Sequence, residues 1–115
     1  MSLPPSSFPE PAPWLMRKSV LTQGGVDGAL HQLGPGAEFT ETRAESSRDR
    51  VLFASNGQVT VALGPTHYIV SAEEALHLPA DTPASVRNAT SAPAKVLIVT
   101  LPAPRVVTSS LVTLR

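Results

Sequence analysis

Three charged residues in the middle of the chain, Arg43, Glu45 and Arg50, combine chemically useful side chains with close spacing. A guanidinium group recognises a carboxylate or phosphate through paired hydrogen bonds. It is always protonated and has only donors, so neither arginine can be a metal ligand. Glu45 alone cannot hold a divalent ion, which needs several convergent ligands. These residue types predict a pocket for a small anion, an internal cluster of ion pairs, or a loop at 43–50 that turns the charges out to solvent.

The spacing around these residues continues into a second segment. Six residues separate Arg50 from Gly57, and positions 79–88 read Pro-Ala-Asp-Thr-Pro-Ala-Ser-Val-Arg-Asn. These intervals resemble the two signature motifs of the cupin superfamily, whose members are small β-barrels that usually hold a metal ion. The first family motif has His-x-His, about four residues, Glu, six residues and Gly, and the second has Pro-x-Gly-x-x-His-x-x-x-Asn. The resemblance covers about residues 28–101 and implies a single-domain, cupin-like barrel.

The four metal-ligand positions of the family are all substituted in this chain. The resemblance places the two histidines of the first motif on Arg43 and Glu45, its Glu on Arg50, and the His of the second motif on Ala84. It therefore implies a barrel without the family's metal, and we predict no cofactor. It also implies that these four side chains face the barrel mouth. Together with Phe39 they are the predicted ligand-binding residues.

Other motif positions concern the scaffold. Gly57, Pro79 and Asn88 match the family pattern, and we interpret Pro79 and Asn88 as structural residues of a turn. Two family glycines are replaced, because Glu73 stands where a glycine opens the second motif and Asp81 takes the place of its inner glycine.

Short apolar runs, rich in Val, Leu, Ile and Thr, alternate with turn signals from residue 16 onward. No run shows helical periodicity over a useful length without a Gly or Pro that would break it. This pattern is typical of a compact all-β domain, and we predict about eight to ten antiparallel strands in a jelly-roll barrel, also called a double-stranded β-helix. We assign residues 14–115 to the barrel and the proline-rich residues 1–13 to an N-terminal arm or tail.

Two pairs of turn residues divide the middle of the chain. Asn56-Gly57 lies between the apolar runs 51–55 and 58–63, and Asn-Gly favours the positive-φ turn that joins two paired strands. We therefore predict a hairpin there. Gly64-Pro65 then separates the second run from a strand at 67–70. Residues alternate in character within 58–63, so one face of that strand should meet the core.

Residues 95–101, Lys-Val-Leu-Ile-Val-Thr-Leu, are apolar on both faces of the predicted strand. Such a strand needs cover on both sides, and an uncovered apolar face is a liability in a monomer. We therefore predict a homodimer in which one sheet packs against its mate. Residues 106–107 and 111–112 show the same pattern more weakly. The Trp-Leu-Met cluster at 14–16 is expected to be buried.

Composition excludes several classes of function. The formal net charge is zero and no basic run exceeds Arg17-Lys18, so nucleic acid and anionic membranes are not expected partners. The chain has no cysteine, which removes thiol catalysis, disulfides and thiolate metal sites. The first residues lack the charge and the apolar run of a signal peptide, and no segment reaches the length of a membrane helix. We expect a soluble, cytoplasmic protein.

The three histidines do not occupy the family's ligand positions. In a strand, His31 lies on the opposite face from Leu30, and His77 on the opposite face from its flanking leucines. His67 and Tyr68 are adjacent, so they should point to opposite sides and cannot act as an acid–base pair in one pocket. We interpret each histidine as a surface or hydrogen-bonded strand residue. A metal site rebuilt from histidines and Glu45 remains an alternative.

The sequence leads to three hypotheses for function. The first is a metal-independent, cupin-like protein that binds a small, anionic molecule in its barrel. The second is a metal-independent isomerase, epimerase or lyase, for which Glu45 is the candidate base. The third is a structural or interaction subunit whose barrel is closed by side chains. A fold of this kind supports many functions, so the sequence leaves open whether the protein is an enzyme.

Overall fold

The computed structural model describes residues 13–103, which form nine β-strands and no helix. The strands are β1 (Leu15–Gln23), β2 (Val26–Leu33), β3 (Glu38–Thr40), β4 (Arg50–Asn56), β5 (Gln58–Leu63), β6 (Thr66–Ser71), β7 (Ala75–Leu78), β8 (Ala84–Arg87) and β9 (Ala94–Thr100). The predicted all-β fold and strand number are confirmed. Residues 1–12 of the predicted arm at 1–13, and the apolar pairs beyond residue 103, lie outside the described residues.

The strands form two antiparallel sheets. One has the order β1-β2-β9-β4-β7 and the other the order β3-β8-β5-β6. The apolar side chains between the two sheets, including Leu33, Leu52, Val61, Val86 and Val96, are completely buried. Two antiparallel sheets that face each other over one core, with strands crossing between them, define a jelly-roll barrel.

Alternation along the strands decides which side chains face the core. In β2, Ala29, His31 and Leu33 are buried whereas Leu30 is only partly buried, as the period of two predicts. In β5, Val59 is buried in the same way between two partly exposed neighbours. The buried face of β2 thus places a histidine, His31, inside the barrel.

The predicted hairpin at Asn56-Gly57 is wrong. β4 pairs with β7 and β9, whereas β5 pairs with β6 and β8, so the two strands belong to different sheets. Gly57 does have a positive φ, of 73°, but the bend turns the chain from one sheet to the other. The hairpin lies one turn later, where Gly64-Pro65 joins β5 to β6 and Leu63 pairs with Thr66.

The predicted burial of residues 14–16 is also wrong. Trp14, Leu15 and Met16 are 43%, 42% and 61% exposed. They begin β1, which is an edge strand exposed along its whole length because the smaller sheet does not cover it. The indole of Trp14 does lie against Gly34, whose amide donates a hydrogen bond of 2.9 Å to the Trp14 carbonyl.

The outer face of the larger sheet carries an apolar surface formed by Leu30, Val51, Phe53, Leu97 and Val99. Strand register places Leu30, Leu97 and Phe53 side by side, and Val99 beside Val51. Phe53 is exposed and the other four are half-buried. The homodimer predicted through this face stays a prediction.

We expect the purified protein to elute as a dimer with twice the monomer mass of 12.1 kDa. Phe53→Lys should shift the protein to the monomer. In a two-fold dimer the substitution would bury one lysine from each subunit in the apolar interface, and both ammonium groups would lose their hydration. Light scattering coupled to size exclusion measures this directly. The control is Ile69→Lys, which changes a 66%-exposed residue on the other sheet. A wild-type monomer, or equal effects of both substitutions, would contradict the prediction.

Within residues 13–103 there is no helix that is long and apolar enough to cross a membrane.

Candidate functional site

Arg50 begins β4 and is completely buried. Its Nε donates to the Glu41 carboxylate at 3.0 Å, and its Nη2 donates to the other oxygen of the same carboxylate. The remaining guanidinium donors reach backbone carbonyls of the surrounding loops, those of Ser46, Arg48, Leu78, Pro79 and Thr82. Arg50 therefore has no donor left for a ligand, and its role is to join β4 to two loops.

The ion-pair hypothesis, in which Glu45 pairs with Arg50 or Arg43, is wrong, because the carboxylate paired with Arg50 is that of Glu41 and Glu45 has no ion-pair partner in residues 13–103. Glu41 follows β3 and is 8% exposed. Its Oε1 also accepts the backbone N–H of Ala84 at 3.0 Å, and the Glu41 amide donates to the Ala84 carbonyl at 2.9 Å. The pair thus ties β3, β4 and β8 together at one end of the barrel.

The other predicted site residues lie at different depths. Ala84 is completely buried, and Arg43 is exposed and does not line the cavity beside β1 and β2 that is described below. Glu45 is exposed in the loop 41–48, where it lines the cavity. Phe39 lines the same cavity from β3. The structure therefore brings only Phe39 and Glu45 of the predicted set to the cavity.

These positions do not fit the metal that the resemblance implies. The buried guanidinium of Arg50 lies where the family has a carboxylate ligand, and Ala84 offers no ligand atom. No group of three or more His, Asp or Glu side chains in the described residues has the arrangement of a metal site. We therefore derive no chemistry through a metal.

A cavity of about 380 Å³ opens beside the inner surface of β1 and β2. Its apolar wall consists of Ala29, Phe39, Ala44 and Ile98. Its charged and titratable side chains are Arg17, Asp27, His31, Glu41, Glu45 and Arg48. The cavity thus combines an apolar surface with fixed charges, as ligand pockets do.

Two of the acidic side chains in the cavity are neutralised internally. Asp27 accepts a hydrogen bond of 3.0 Å from Arg48, and Glu41 is paired with Arg50. Arg17 has no side-chain partner among residues 13–103, and Glu45 has no ion-pair partner there. The unpaired charges of the cavity are therefore one guanidinium and one carboxylate.

Glu45 is held in place by its own loop. Its Oε1 accepts the backbone N–H of Thr42 at 2.8 Å, and the Thr42 hydroxyl accepts the Glu45 amide at 3.1 Å. This reciprocal pair has the form of a helix capping box, although it closes a turn here. It fixes the carboxylate through one oxygen and leaves the second oxygen available.

His31 and Glu41 are the buried titratable groups of the cavity, and of the two only Glu41 is in an ion pair. His31 is 7% exposed, and its ring stacks on Phe39 with a centroid separation of 4.3 Å and an interplanar angle of 10°. Its Nδ1 is enclosed and has no hydrogen-bond partner among the described residues. His31 also lines the cavity.

The surroundings of His31 favour its neutral form. Burial lowers the pKa of His31 below 6.5, and the positive charge of Arg17 lowers it further. The Ala29 backbone and the charge of Glu45 act in the opposite direction without reversing the shift. A neutral imidazole carries one N–H and can donate one hydrogen bond.

This lowered pKa predicts how stability depends on pH. Below about pH 6.5 the unfolded chain binds a proton that folded His31 does not, so stability should fall as the pH decreases toward the folded pKa. We expect His31→Phe to reduce this slope, which for one group is at most about 1.4 kcal/mol per pH unit. Denaturant unfolding between pH 7.5 and 5.5 measures it. The Asp49 carboxyl, whose pKa is lowered by its bond with His77, titrates below this range.

The matched control for this prediction is His67→Phe, because His67 is exposed on β6. An unchanged slope in His31→Phe, or an equal change in the control, would contradict a buried neutral histidine.

The remaining predicted side chains are distant from this cavity. His67 and Tyr68 are both exposed and neither lines it, so they do not form its acid–base pair. The side chain of His77 is 63% exposed and bonds to Asp49 at 2.9 Å. Asn88 is completely buried, where it donates to the carbonyls of the adjoining turns, and its structural interpretation is confirmed.

Sequence reasoning did not identify Arg17, Asp27, Glu41 and Arg48 as site residues. Arg17 and His31 become neighbours only through the β1–β2 register, which pairs them directly. The signal that could have indicated Arg17 is its even spacing from Leu15 and Ser19, on the face of β1 that pairs with the buried face of β2.

Comparisons with known proteins agree with this architecture. No protein-family model matches the sequence, and no curated protein matches it. TT1209 from Thermus thermophilus is 28% identical with a TM-score of 0.69, over 78% of this chain and 85% of that one. The Cupin_2 domain of an XRE family transcriptional regulator from Enterobacter cloacae is 18% identical with a TM-score of 0.71, over 79% and 98%. A cupin superfamily protein from Desulfitobacterium hafniense is 17% identical with a TM-score of 0.68, over 90% and 92%.

The fold and the cavity define a single-domain jelly-roll barrel whose interior opens to a mixed polar and apolar pocket. Together with these neighbours they show that the chain has the cupin fold, as its motif spacing implied. The fold does not determine a ligand, so the function follows from the cavity's own side chains.

Proposed function

We propose that this cupin-fold protein binds a small molecule bearing an acidic group in the cavity beside β1 and β2, without a metal. The observation that supports the proposal is the guanidinium of Arg17, which has no side-chain partner among residues 13–103, at a cavity whose other arginine, Arg48, is already paired with Asp27. A guanidinium that is free of internal partners can bind a carboxylate or phosphate through two hydrogen bonds.

The neighbouring side chains supply the rest of a binding site. The N–H of neutral His31 is a second donor at the cavity, and strand register pairs His31 with Arg17. Phe39 and Ile98 provide apolar surface for the part of the ligand that carries no charge. Phe39 also holds the imidazole in position by stacking on it.

Native mass spectrometry of freshly purified protein, without added metal, tests the proposal. We expect a small acidic molecule to be retained by the wild type and lost by Arg17→Met. Arg43→Met is the matched control, because Arg43 is an exposed arginine that does not line the cavity. If the purified protein retains no small molecule, simple carboxylates are titrated by calorimetry into the wild type, Arg17→Met and Arg43→Met, and the affinities are compared in the same way.

Two results would contradict the proposal. One is equal retention of the molecule, or equal affinity for it, in wild type and Arg17→Met. This result would mean that the Arg17 guanidinium does not bind the ligand. The other is a stoichiometric transition metal in the purified protein, which would show that the cavity or another cluster supplies ligands that its donor set does not suggest.

A further inference from the structure

Arg17 and Glu45 are the two charged side chains of the cavity without an ion-pair partner in residues 13–103, and they have opposite signs. A ligand with only an acidic group would satisfy Arg17 but would be repelled by Glu45. A ligand with only an ammonium group would be attracted by Glu45 but repelled by Arg17. The charge pattern therefore matches a molecule that carries both groups.

We propose that the ligand is an amino acid or a similar small zwitterion, with its carboxylate on Arg17 and its ammonium group on Glu45. This inference rests on the proposed function and specifies the ligand of the same cavity. The volume of about 380 Å³ accommodates a free amino acid together with its side chain. The apolar wall of Ala29, Phe39 and Ile98 is the surface against which that side chain would pack.

Geometry on both sides of His31 supports this assignment. Arg17 lies directly opposite His31 in the paired strands β1 and β2. Glu45 comes from the loop, which also lines the cavity. Arg17, Glu45 and His31 thus all line the same cavity.

Glu45 is prepared for an ammonium group before the ligand arrives. The Thr42 amide holds its Oε1 at 2.8 Å, so the carboxylate has little freedom to lose on binding. The other oxygen can accept an ammonium hydrogen. Charge-assisted bonds of this kind are roughly twice as strong as neutral ones.

The test compares probes that differ by one charged group. Phenylalanine, 3-phenylpropanoate and 2-phenylethylamine share an aromatic side chain, and leucine, 4-methylpentanoate and 3-methylbutylamine share an aliphatic one. Calorimetry on the full-length protein should show at least one amino acid binding, and each analogue that lacks one charge should bind roughly tenfold more weakly.

Two variants then separate the contributions of the charges. Arg17→Met should weaken binding of the amino acid by roughly tenfold. Glu45→Gln should also weaken the amino acid but should strengthen binding of the acid-only analogue, because the repulsive carboxylate is gone. Arg43→Met should leave all affinities unchanged.

The outcomes distinguish this inference from the proposed function. If an acid-only analogue binds the wild type as tightly as its amino acid, and Arg17→Met weakens it, the zwitterion is overturned while the acid-binding function stands. If neither amino acid binds at millimolar concentration, the inference is overturned. If Arg17→Met changes no affinity, both proposals fail.

Discussion

Arg50→Met should lower the free energy of unfolding by about 3–5 kcal/mol, because it leaves the buried Glu41 carboxylate without its counter-charge. Methionine has a similar length and fills much of the same space, so little of the loss should come from a cavity. Denaturant unfolding monitored by the fluorescence of Trp14 or by circular dichroism measures the change. Arg50→Lys keeps the charge with fewer donors, so its stability should lie between those of the wild type and Arg50→Met. If Arg50→Met does not fold, the stability of Arg50→Lys still tests the prediction.

Replacing both partners of the ion pair should not restore stability. In Arg50→Met with Glu41→Leu the uncompensated charge disappears, and for a simple buried pair this would be nearly neutral. Here the guanidinium also donates hydrogen bonds to loop carbonyls, including those of Leu78 and Pro79. The Glu41 carboxylate in turn accepts a hydrogen bond from the Ala84 amide. Those backbone groups would become unsatisfied, at about 1–3 kcal/mol for each that water cannot reach.

Arg43→Met is the control for this prediction. Arg43 is exposed, so its replacement should change stability by less than about 0.5 kcal/mol. A double variant as stable as the wild type would contradict the carbonyl-binding role of Arg50. An Arg50→Met protein within the range of the control would show that the buried pair contributes nothing measurable.

The sequence motifs contained accurate information about backbone geometry. Glu73 and Asp81 replace two family glycines, and both have positive φ values, 71° and 61°. The backbone therefore keeps the conformation that glycine favours, although the side chains have changed. Gly57 has the positive φ that its Asn-Gly turn predicts. Local conformation was predictable because it depends on neighbouring residues alone.

Pairing and charge partners were not predictable from the same information. A turn at Gly57 is compatible with a hairpin and with a crossing between sheets, and long-range pairing with β8 and β9 decides between them. Glu41 and Glu45 are both acidic and near Arg50 in sequence. Which of them enters the barrel depends on where β3 ends and on how the following loop folds over it. The unpaired Arg17 depends on the register of an edge strand that has no motif.

Two independent structural requirements coincide at Gly57. Its φ of 73° is unfavourable for any residue with a Cβ. In addition, a Cβ at this position would lie 2.6 Å from the carbonyl oxygen of Pro93 and 2.9 Å from the Cα of Ala94. Both contacts are with backbone at the beginning of β9, so neither atom can move away without disturbing the larger sheet.

Gly57→Ala should therefore lower the free energy of unfolding by about 2–5 kcal/mol, the sum of the conformational cost and the cost of overpacking. Gly64→Ala separates the two contributions, because Gly64 has a similar φ of 58° but a Cβ there would have no obstructing atom within 4 Å. That variant should lose only about 1–2 kcal/mol. Parallel denaturant unfolding of both variants gives the difference, which measures how closely β9 approaches the bend between the two sheets. Equal losses would mean that β9 yields to the methyl group, and that the bend is maintained by backbone conformation alone.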